Sequence, residues 1–233
     1  MRIHESNGDL GPGGRGTLIA LVWPLLLTAA VYLFWNTALV FPLKIFTVFL
    51  HELSHGLAAI ATGGSIERIE LSADEGGVCW TRGGSRFLVT SAGYLGSLLF
   101  GALFVVIGGR ARPGVQRAVV ALAGLVVLSA TFLWVRTAFG FLWGLLTAAA
   151  LLGIALWLSA GISVFVLRLL GITSGLYAIW DIGSDLIVRS IPSSDASALA
   201  KMTGIPGVVW GVLWGAVAIV VMARAVRVAV RSA

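Results

Sequence analysis

Residues 41–64 read FPLKIFTVFLHELSHGLAAIATGG and combine a strongly apolar composition with a small group of ionisable side chains. The run is apolar enough to lie in a bilayer as a helix, yet its middle contains His51, Glu52 and His55 in the pattern H-E-x-x-H. Residues four apart share one face of a helix, so the two imidazoles can be presented to a single metal ion. The stretch therefore predicts a membrane-embedded helix that carries a metal site.

The same spacing is used by zinc hydrolases, in which two histidines and a third protein ligand hold the ion and water takes the fourth position. The glutamate of that motif accepts the proton of the water. We therefore predict one Zn²⁺ per chain, with His51 and His55 as ligands and Glu52 as the catalytic base. The alternative is that the two histidines are polar residues satisfied inside a helix bundle. Ionisable groups in membrane segments are costly and usually functional, which favours the metal site.

The composition excludes an ordinary soluble domain. Of the 233 residues, 58% are hydrophobic and only 11% are charged, and the mean hydropathy is +0.99. Such a chain predicts a polytopic protein whose surroundings are mostly lipid. The net charge of +6 does not indicate nucleic-acid binding, because the arginines lie between apolar stretches, where they anchor helix ends and meet lipid headgroups. Cys79 is the single cysteine, which excludes an intramolecular disulfide and argues against a cysteine-based metal site.

The hydropathy pattern predicts an all-α membrane protein with about six to seven transmembrane helices. A flexible Gly-rich tail (residues 1–16) precedes one membrane-embedded domain (residues 17–224), and a basic, helical tail (residues 225–233) follows it. The candidate spans are residues 17–35, 38–62, 87–107, two helices that turn near Arg136 within 118–158, then 161–180 and 205–222. Lys44 lies in the motif helix, where its amine can snorkel to the membrane interface or face a polar cavity, and we favour snorkelling.

A short polar unit interrupts this pattern and predicts a β-hairpin at about residues 65–84. Its two arms, SIERIEL (65–71) and GGVCWTR (76–82), flank a turn-rich segment. One interpretation is an ordinary extramembrane loop. The functional interpretation is an edge strand beside the metal that pairs with an extended substrate. The residues assigned to this substrate-guiding strand are Gly76, Gly77, Val78, Cys79 and Trp80.

The third metal ligand should come from another helix. Asp181 and Asp185 follow a long apolar helix in the sequence GLYAIWDIGSDLIVR and are four residues apart, so they share a face. We expect Asp181 to be the ligand, with Asp185 as an alternative ligand or a residue that supports the site. Asp185 can instead pair with Arg189 on a solvated helix end. Asp195, in the sequence SSDAS, is interpreted as the cap of the helix that starts there.

Two blocks of this sequence resemble the M50B-like branch of the site-2 protease family of intramembrane zinc metallopeptidases. They are HELSHGLAAIATGGSIERIELSADEGGVCWTRGG with SAGYLGSLLFGA, and YAIWDIGSDLIVRSIPSSDASALA. The resemblance covers residues 41–215. It implies that His51 and His55 bind zinc, that Glu52 is the general base and that the hairpin guides substrate. It also implies that Asp181 replaces the Asp of the family's Leu-Asp-Gly motif, although this sequence reads Trp-Asp-Ile.

These observations predict a zinc metalloendopeptidase that hydrolyses membrane-protein substrates within or at the edge of the bilayer. We expect a multi-pass protein of the bacterial inner membrane, with lipid and a membrane-protein substrate as partners and no nucleic acid. Two alternatives stay open. One is a transporter or permease-like protein that uses Asp181, Asp185 and Lys44 as an ion path. The other is a relative that binds zinc without cleaving.

Overall fold

The computed structural model describes residues 12–183 and 194–231, within which the chain forms eight helices and one two-stranded sheet. Most of the predicted N-terminal tail, Asp185 and the last two residues lie outside these ranges. The first helix begins at Pro12, inside the segment predicted to be a flexible tail. The elements are α1 Pro12–Leu33, α2 Phe41–Ala61, β1 Ser65–Leu71, β2 Gly77–Arg82, α3 Arg86–Arg110, α4 Pro113–Trp134, α5 Ala138–Trp157, α6 Ala160–Gly183, α7 Asp195–Thr203 and α8 Gly207–Val230.

Six of the described helices, α2 to α6 and α8, are long and apolar enough to cross a membrane. This confirms the prediction of a multi-pass helical membrane protein with a small hairpin. Residues 118–158 form two spans, α4 and α5, whose connection contains Arg136 as predicted. Within α1, the apolar helix Ala20–Leu33 is shorter than the six candidate spans. The count therefore lies at the lower end of the predicted range.

Helix α2 lies at the centre of the bundle. Of its 18-residue apolar window, 72% is buried, against at most 50% in the other five candidate spans. It packs against α3, which also packs against α6 and α8. Small residues bring these helices close together: a Cβ at Gly96 of α3 would overlap the Ser54 side chain of α2, and one at Gly101 would lie 2.9 Å from Ser174 Cβ of α6.

The hairpin follows α2 directly and folds back against it. Gly63 ends the helix with a φ of +86°, a left-handed conformation that favours glycine. Strands β1 and β2 pair antiparallel, with a bulge between Ile66 and Arg68. Ile66, Ile69 and Leu71 of β1 are buried and join the main hydrophobic core. The hairpin is therefore part of the packed structure.

The connection between α4 and α5 covers the outer edge of β1. The Arg136 N–H donates a hydrogen bond to the Ile69 carbonyl over 3.0 Å. The Thr137 hydroxyl donates to the Leu71 carbonyl over 2.7 Å and accepts from the Leu71 N–H over 3.2 Å. No strand of residues 12–183 or 194–231 pairs with the other edge of the sheet, along β2. The hairpin thus has one covered edge and one edge that can accept a further strand.

Replacing Thr137 with Val tests this anchoring. The substitution leaves the N–H and C=O groups of Leu71 without their hydroxyl partner, and the N-cap of α5 is lost as well because Thr137 also accepts from the Gly140 N–H. We expect a loss of about 2 kcal/mol in the free energy of unfolding, measured as a lower melting temperature in detergent. Thr137→Ser, which keeps the hydroxyl, should stay close to the wild type. Equal melting temperatures for Val and Ser would contradict the anchoring role.

Candidate metal centre

Three side chains from two helices converge on one point inside the protein. His51 and His55 of α2 present their Nε2 atoms to Asp195 of α7, whose Oδ2 lies 3.2 Å from the first and 3.3 Å from the second. The three atoms all lie within 4.8 Å of one another. Among the described residues, this is the group of His, Cys, Asp and Glu side chains that could hold a metal ion.

The third member of this group differs from the sequence expectation. Asp181 on α6 lines the same cavity and is close enough to His51 for an electrostatic interaction, but it does not belong to the three-residue group. Asp185 lies outside the described residues. The structure therefore brings Asp195 to the histidine nitrogens in the place expected for Asp181.

The interpretation of Asp195 as the cap of its helix is wrong. Ser194 is the N-cap of α7, and its hydroxyl accepts a hydrogen bond from the Ser197 N–H over 3.2 Å. Because its neighbour caps the helix, Asp195 occupies the first helical position and its carboxylate is free to reach α2. The sequence SSDAS already indicated this possibility. Ser194 and Asp195 are adjacent residues of types that cap helices, and only one of them can occupy the N-cap position.

Packing on the other face of α7 fixes the position of Asp195. Ala196 and Leu199 of α7 are buried in a cluster with Tyr94 and Trp214. The Tyr94 ring in turn stands edge-to-face against His51, with the ring centroids 4.9 Å apart and an interplanar angle of 85°. The same aromatic side chain thus supports both α7 and one of the two histidines.

A backbone carbonyl sets the tautomer of His55. Its Nδ1 lies 2.6 Å from the Val89 carbonyl oxygen of α3. A carbonyl oxygen can only accept, so Nδ1 carries the proton and Nε2 keeps its lone pair for a metal. Such a bond to the far nitrogen is the usual support for a metal-binding histidine.

The donor atoms fit a zinc ion. Tetrahedral Zn²⁺ with bonds of about 2.1 Å to nitrogen and oxygen needs ligand atoms about 3.4 Å apart. The Asp195 oxygen lies 3.2 and 3.3 Å from the two histidine nitrogens, which are within 4.8 Å of each other. Oδ2 of Asp195 is buried and, despite these short distances, takes part in no hydrogen bond of good geometry. Burial alone would raise the pKa of the Asp195 carboxyl, but His55 and His51 beside it hold that pKa below its usual range. The carboxylate is therefore ionised and available as a ligand.

Glu52 lies beside this group and faces the hairpin. Its side chain is only 6% exposed, and the backbone N–H of Cys79 in β2 hydrogen-bonds its carboxylate. A Cβ at Gly77 would lie 2.8 Å from both Cγ and Oε1 of Glu52. The absence of a side chain at Gly77 leaves the room that Glu52 occupies between α2 and β2.

A cavity of about 610 Å³ contains the group and is bordered by the hairpin. It is lined by His51, Glu52, His55, Asp181 and Asp195, and by four of the five residues assigned to the substrate-guiding strand: Gly76, Gly77, Val78 and Cys79. Trp80, the fifth, does not line the cavity. Its ring lies on the outer face of the hairpin, with the Arg68 guanidinium 4.4 Å from the ring centroid.

The sequence model of the family described as Peptidase M50B-like matches residues 25–225 of the chain. The chain belongs to the peptidase M50B-like family. Searches of curated proteins and of solved structures gave no match. The match covers both histidines, Asp195 and most of the six candidate spans, and it confirms the resemblance seen in the sequence. Family membership and the six apolar helices make this an integral multi-pass membrane protein.

In this M50B-like protein, a glycine on α3 leaves open the space beside the two histidines where a metal could bind. A Cβ at Gly93 would overlap the Nε2 atoms of His51 and His55, lying 2.5 Å from the latter. Gly93→Ala should therefore exclude the ion: we expect bound zinc to fall from about one per chain to below about 0.1, measured by elemental analysis of purified protein. Gly215→Ala is the matched control, because its Cβ would meet no atom within 4 Å. Full zinc in folded Gly93→Ala would contradict this placement.

Proposed function

We propose that the protein is an intramembrane zinc metalloendopeptidase of the site-2 protease type, which hydrolyses peptide bonds of membrane-protein substrates within or at the edge of the bilayer. The main support for this proposal is that His51 Nε2, His55 Nε2 and Asp195 Oδ2 converge in a cavity that Glu52 also lines. Membership of a peptidase family supports the same reaction class.

In this proposal His51, His55 and Asp195 are the zinc ligands, and Asp195 takes the role that the sequence suggested for Asp181. Two imidazoles and one carboxylate, with a fourth position left for water, form the ligand set of many zinc hydrolases. Bound zinc would supply Lewis-acid chemistry, polarising the scissile carbonyl and activating water. Asp181 stays in the cavity as a carboxylate that can contact substrate.

Glu52 is the proposed general base. Its carboxylate accepts the proton of the attacking water and later donates it to the leaving amine. The Cys79 N–H and the close contact with Gly77 hold the carboxylate in place between α2 and β2. A base that is fixed before substrate arrives needs no reorganisation during the reaction.

The hairpin provides a means of holding substrate. A transmembrane helix does not offer its backbone amides, because they are bonded within the helix, so a substrate must unwind locally. No strand of the described residues pairs with the outer edge of β2, so this edge can replace part of those lost hydrogen bonds with main-chain bonds to an extended segment, apart from the Cys79 N–H, which bonds Glu52. Since Gly77 and Cys79 of β2 lie directly beside Glu52, a segment paired there would pass the metal group.

The identity of the third ligand can be tested with two isosteric substitutions. Asp195→Asn removes the negative charge that faces both histidines and should lower the bound zinc to below about 0.2 per chain after dialysis against a weak chelator. Asp181→Asn should keep about one zinc per chain. His55→Ala serves as the reference for a destroyed site. If Asp181→Asn loses zinc and Asp195→Asn retains it, then Asp181 is the third ligand and the assignment of Asp195 is wrong.

Cleavage is tested by comparing cells that produce the wild type with cells that produce Glu52→Gln at the same level. New N-termini of membrane proteins, identified by mass spectrometry, should appear within predicted transmembrane segments only with the wild type. Loss of a general base typically costs about 10²- to 10⁴-fold in rate, so the variant's products should fall below detection. Glu67→Gln, on the exposed face of the hairpin, is the control that should still cleave.

Each outcome separates the proposal from its alternatives. Identical N-termini from the wild type and Glu52→Gln would contradict the peptidase. Zinc bound by a wild type that yields no new N-termini would favour a non-cleaving zinc-binding relative. A folded wild type without zinc would favour the transporter.

A further inference from the structure

An ion pair lies at the turn end of the hairpin, away from the metal group. Lys44 of α2 and Glu75, in the turn between β1 and β2, are joined through Nζ and Oε1. Lys44 is buried, with only 5% of its surface exposed, so the expected snorkelling to the interface is wrong. The amine also lies 5.4 Å from the centroid of the Trp35 ring, in the connection between α1 and α2. A buried ammonium depends on such partners because it has lost its hydration.

The turn is held in an uncommon backbone conformation at this point. Glu75 has a φ of +67°, and it is the one non-glycine residue with positive φ in the described part of the chain. That conformation costs free energy for a residue with a Cβ and persists where surrounding contacts enforce it. The contact with Lys44 is one of them. The Tyr177 hydroxyl of α6 makes another by donating to the Glu75 carbonyl oxygen over 3.4 Å.

Aromatic rings enclose the pair from the side of α6. The Trp35 ring centroid lies 6.0 Å from that of Tyr177 and 6.1 Å from that of Trp180. Trp35, Glu75, Tyr177 and Trp180 all line the cavity of the metal group, so the pair lies at its border. The hairpin is consequently fixed at two places: β1 by the Thr137 hydroxyl at Leu71, and the turn by Lys44.

We propose that the Lys44–Glu75 pair is a positioning element of the peptidase: it holds the hairpin turn so that the free edge of β2 stays beside Glu52 and the metal group. This inference rests on the proposed function. The turn leads directly into Gly77, which packs against Glu52, so a displacement of Glu75 is transmitted to β2 within two residues. A substrate segment paired with a displaced β2 would carry its scissile bond away from the base, and kcat would fall more than KM would rise.

The single cysteine allows a test that needs no substrate. Cys79 lies in β2, on the side that faces Glu52, and burial together with Glu52 raises the pKa of its thiol to about 12. Alkylation by N-ethylmaleimide therefore reports opening of the hairpin, because the thiolate is the reactive form. The rate is followed by mass spectrometry of the zinc-loaded full-length protein in lipid nanodiscs.

Glu75→Gln removes the negative charge and leaves the Lys44 ammonium buried without its counter-ion. We expect Cys79 to be alkylated about ten times faster than in the wild type, which corresponds to a hairpin opening easier by about 1.4 kcal/mol. The alkylated molecules should retain zinc, because the opening is local. Lys44→Met should act in the same direction but more weakly, since Glu75 is partly exposed and can be hydrated.

Glu67→Gln is the matched control within the same hairpin. It breaks the pair between Glu67 and Arg82, whose side chain is 81% exposed. Surface ion pairs of this kind contribute little to the free energy of folding. Its alkylation rate should equal that of the wild type. Equal rates for Glu75→Gln and Glu67→Gln would overturn the proposal, as would alkylation that proceeds only with loss of zinc. If Glu75→Gln does not fold, the alkylation rate of Lys44→Met is compared with that of Glu67→Gln instead, and equal rates would again overturn the proposal.

The outcomes are independent of the proposed function. A wild type without peptidase activity leaves the alkylation comparison valid, because it measures only where β2 lies relative to α2. Conversely, an unchanged alkylation rate in Glu75→Gln would leave the zinc and Glu52 experiments unaffected. Failure of the positioning role and failure of the peptidase proposal are therefore distinguishable.

Discussion

The structure depends on bringing three electron-pair donors together inside an apolar protein. His51, His55 and Asp195 lie in a region where unpaired polar groups are costly. Oδ2 of Asp195 lies 3.2 and 3.3 Å from the two Nε2 atoms, yet it is buried and makes no hydrogen bond of good geometry. A cation bound between these atoms would give Oδ2 the partner that it lacks. The surrounding packing holds these three atoms in place. The Val89 carbonyl orients His55, and Gly93 of α3 keeps the space beside both histidines open.

Helix α2 is central to both the fold and the site. Most of its apolar window is buried, so its ionisable residues face other protein elements instead of lipid. One part of it carries the metal group, and Lys44, seven residues before His51, binds the hairpin turn. The hairpin lies along the same helix and places a strand edge next to Glu52. The connection between α4 and α5 covers β1, whereas no strand of the described residues pairs with the outer edge of β2, which lies beside the metal group.

The parts of this arrangement that sequence reasoning predicted are those that local pattern controls. Apolar runs set the spans, glycines set the turn after α2, and the spacing of four residues places His51 and His55 on one face. Two side chains that sequence reasoning assigned differently, Asp195 and Lys44, have partners that are distant in the chain. Asp181 lies near the end of the apolar helix α6, and Asp195 directly follows the N-cap of α7. The packing of α7 against α3 and α8 is what brings Asp195 to the histidines. Lys44 was expected at the interface because Glu75, its partner, is 31 residues further along.

The sequence by itself determined the membrane class, the hairpin, the two histidines with their glutamate, and membership of a peptidase family. These features are encoded in composition and in short-range spacings, such as the four residues between His51 and His55, where chain geometry fixes which residues are neighbours. Only the tertiary structure decided the third donor, the enclosed Lys44–Glu75 pair and the free edge of β2. Each of these is a contact between segments that chain geometry does not constrain. They form only after burial of apolar surface has chosen which helices pack together.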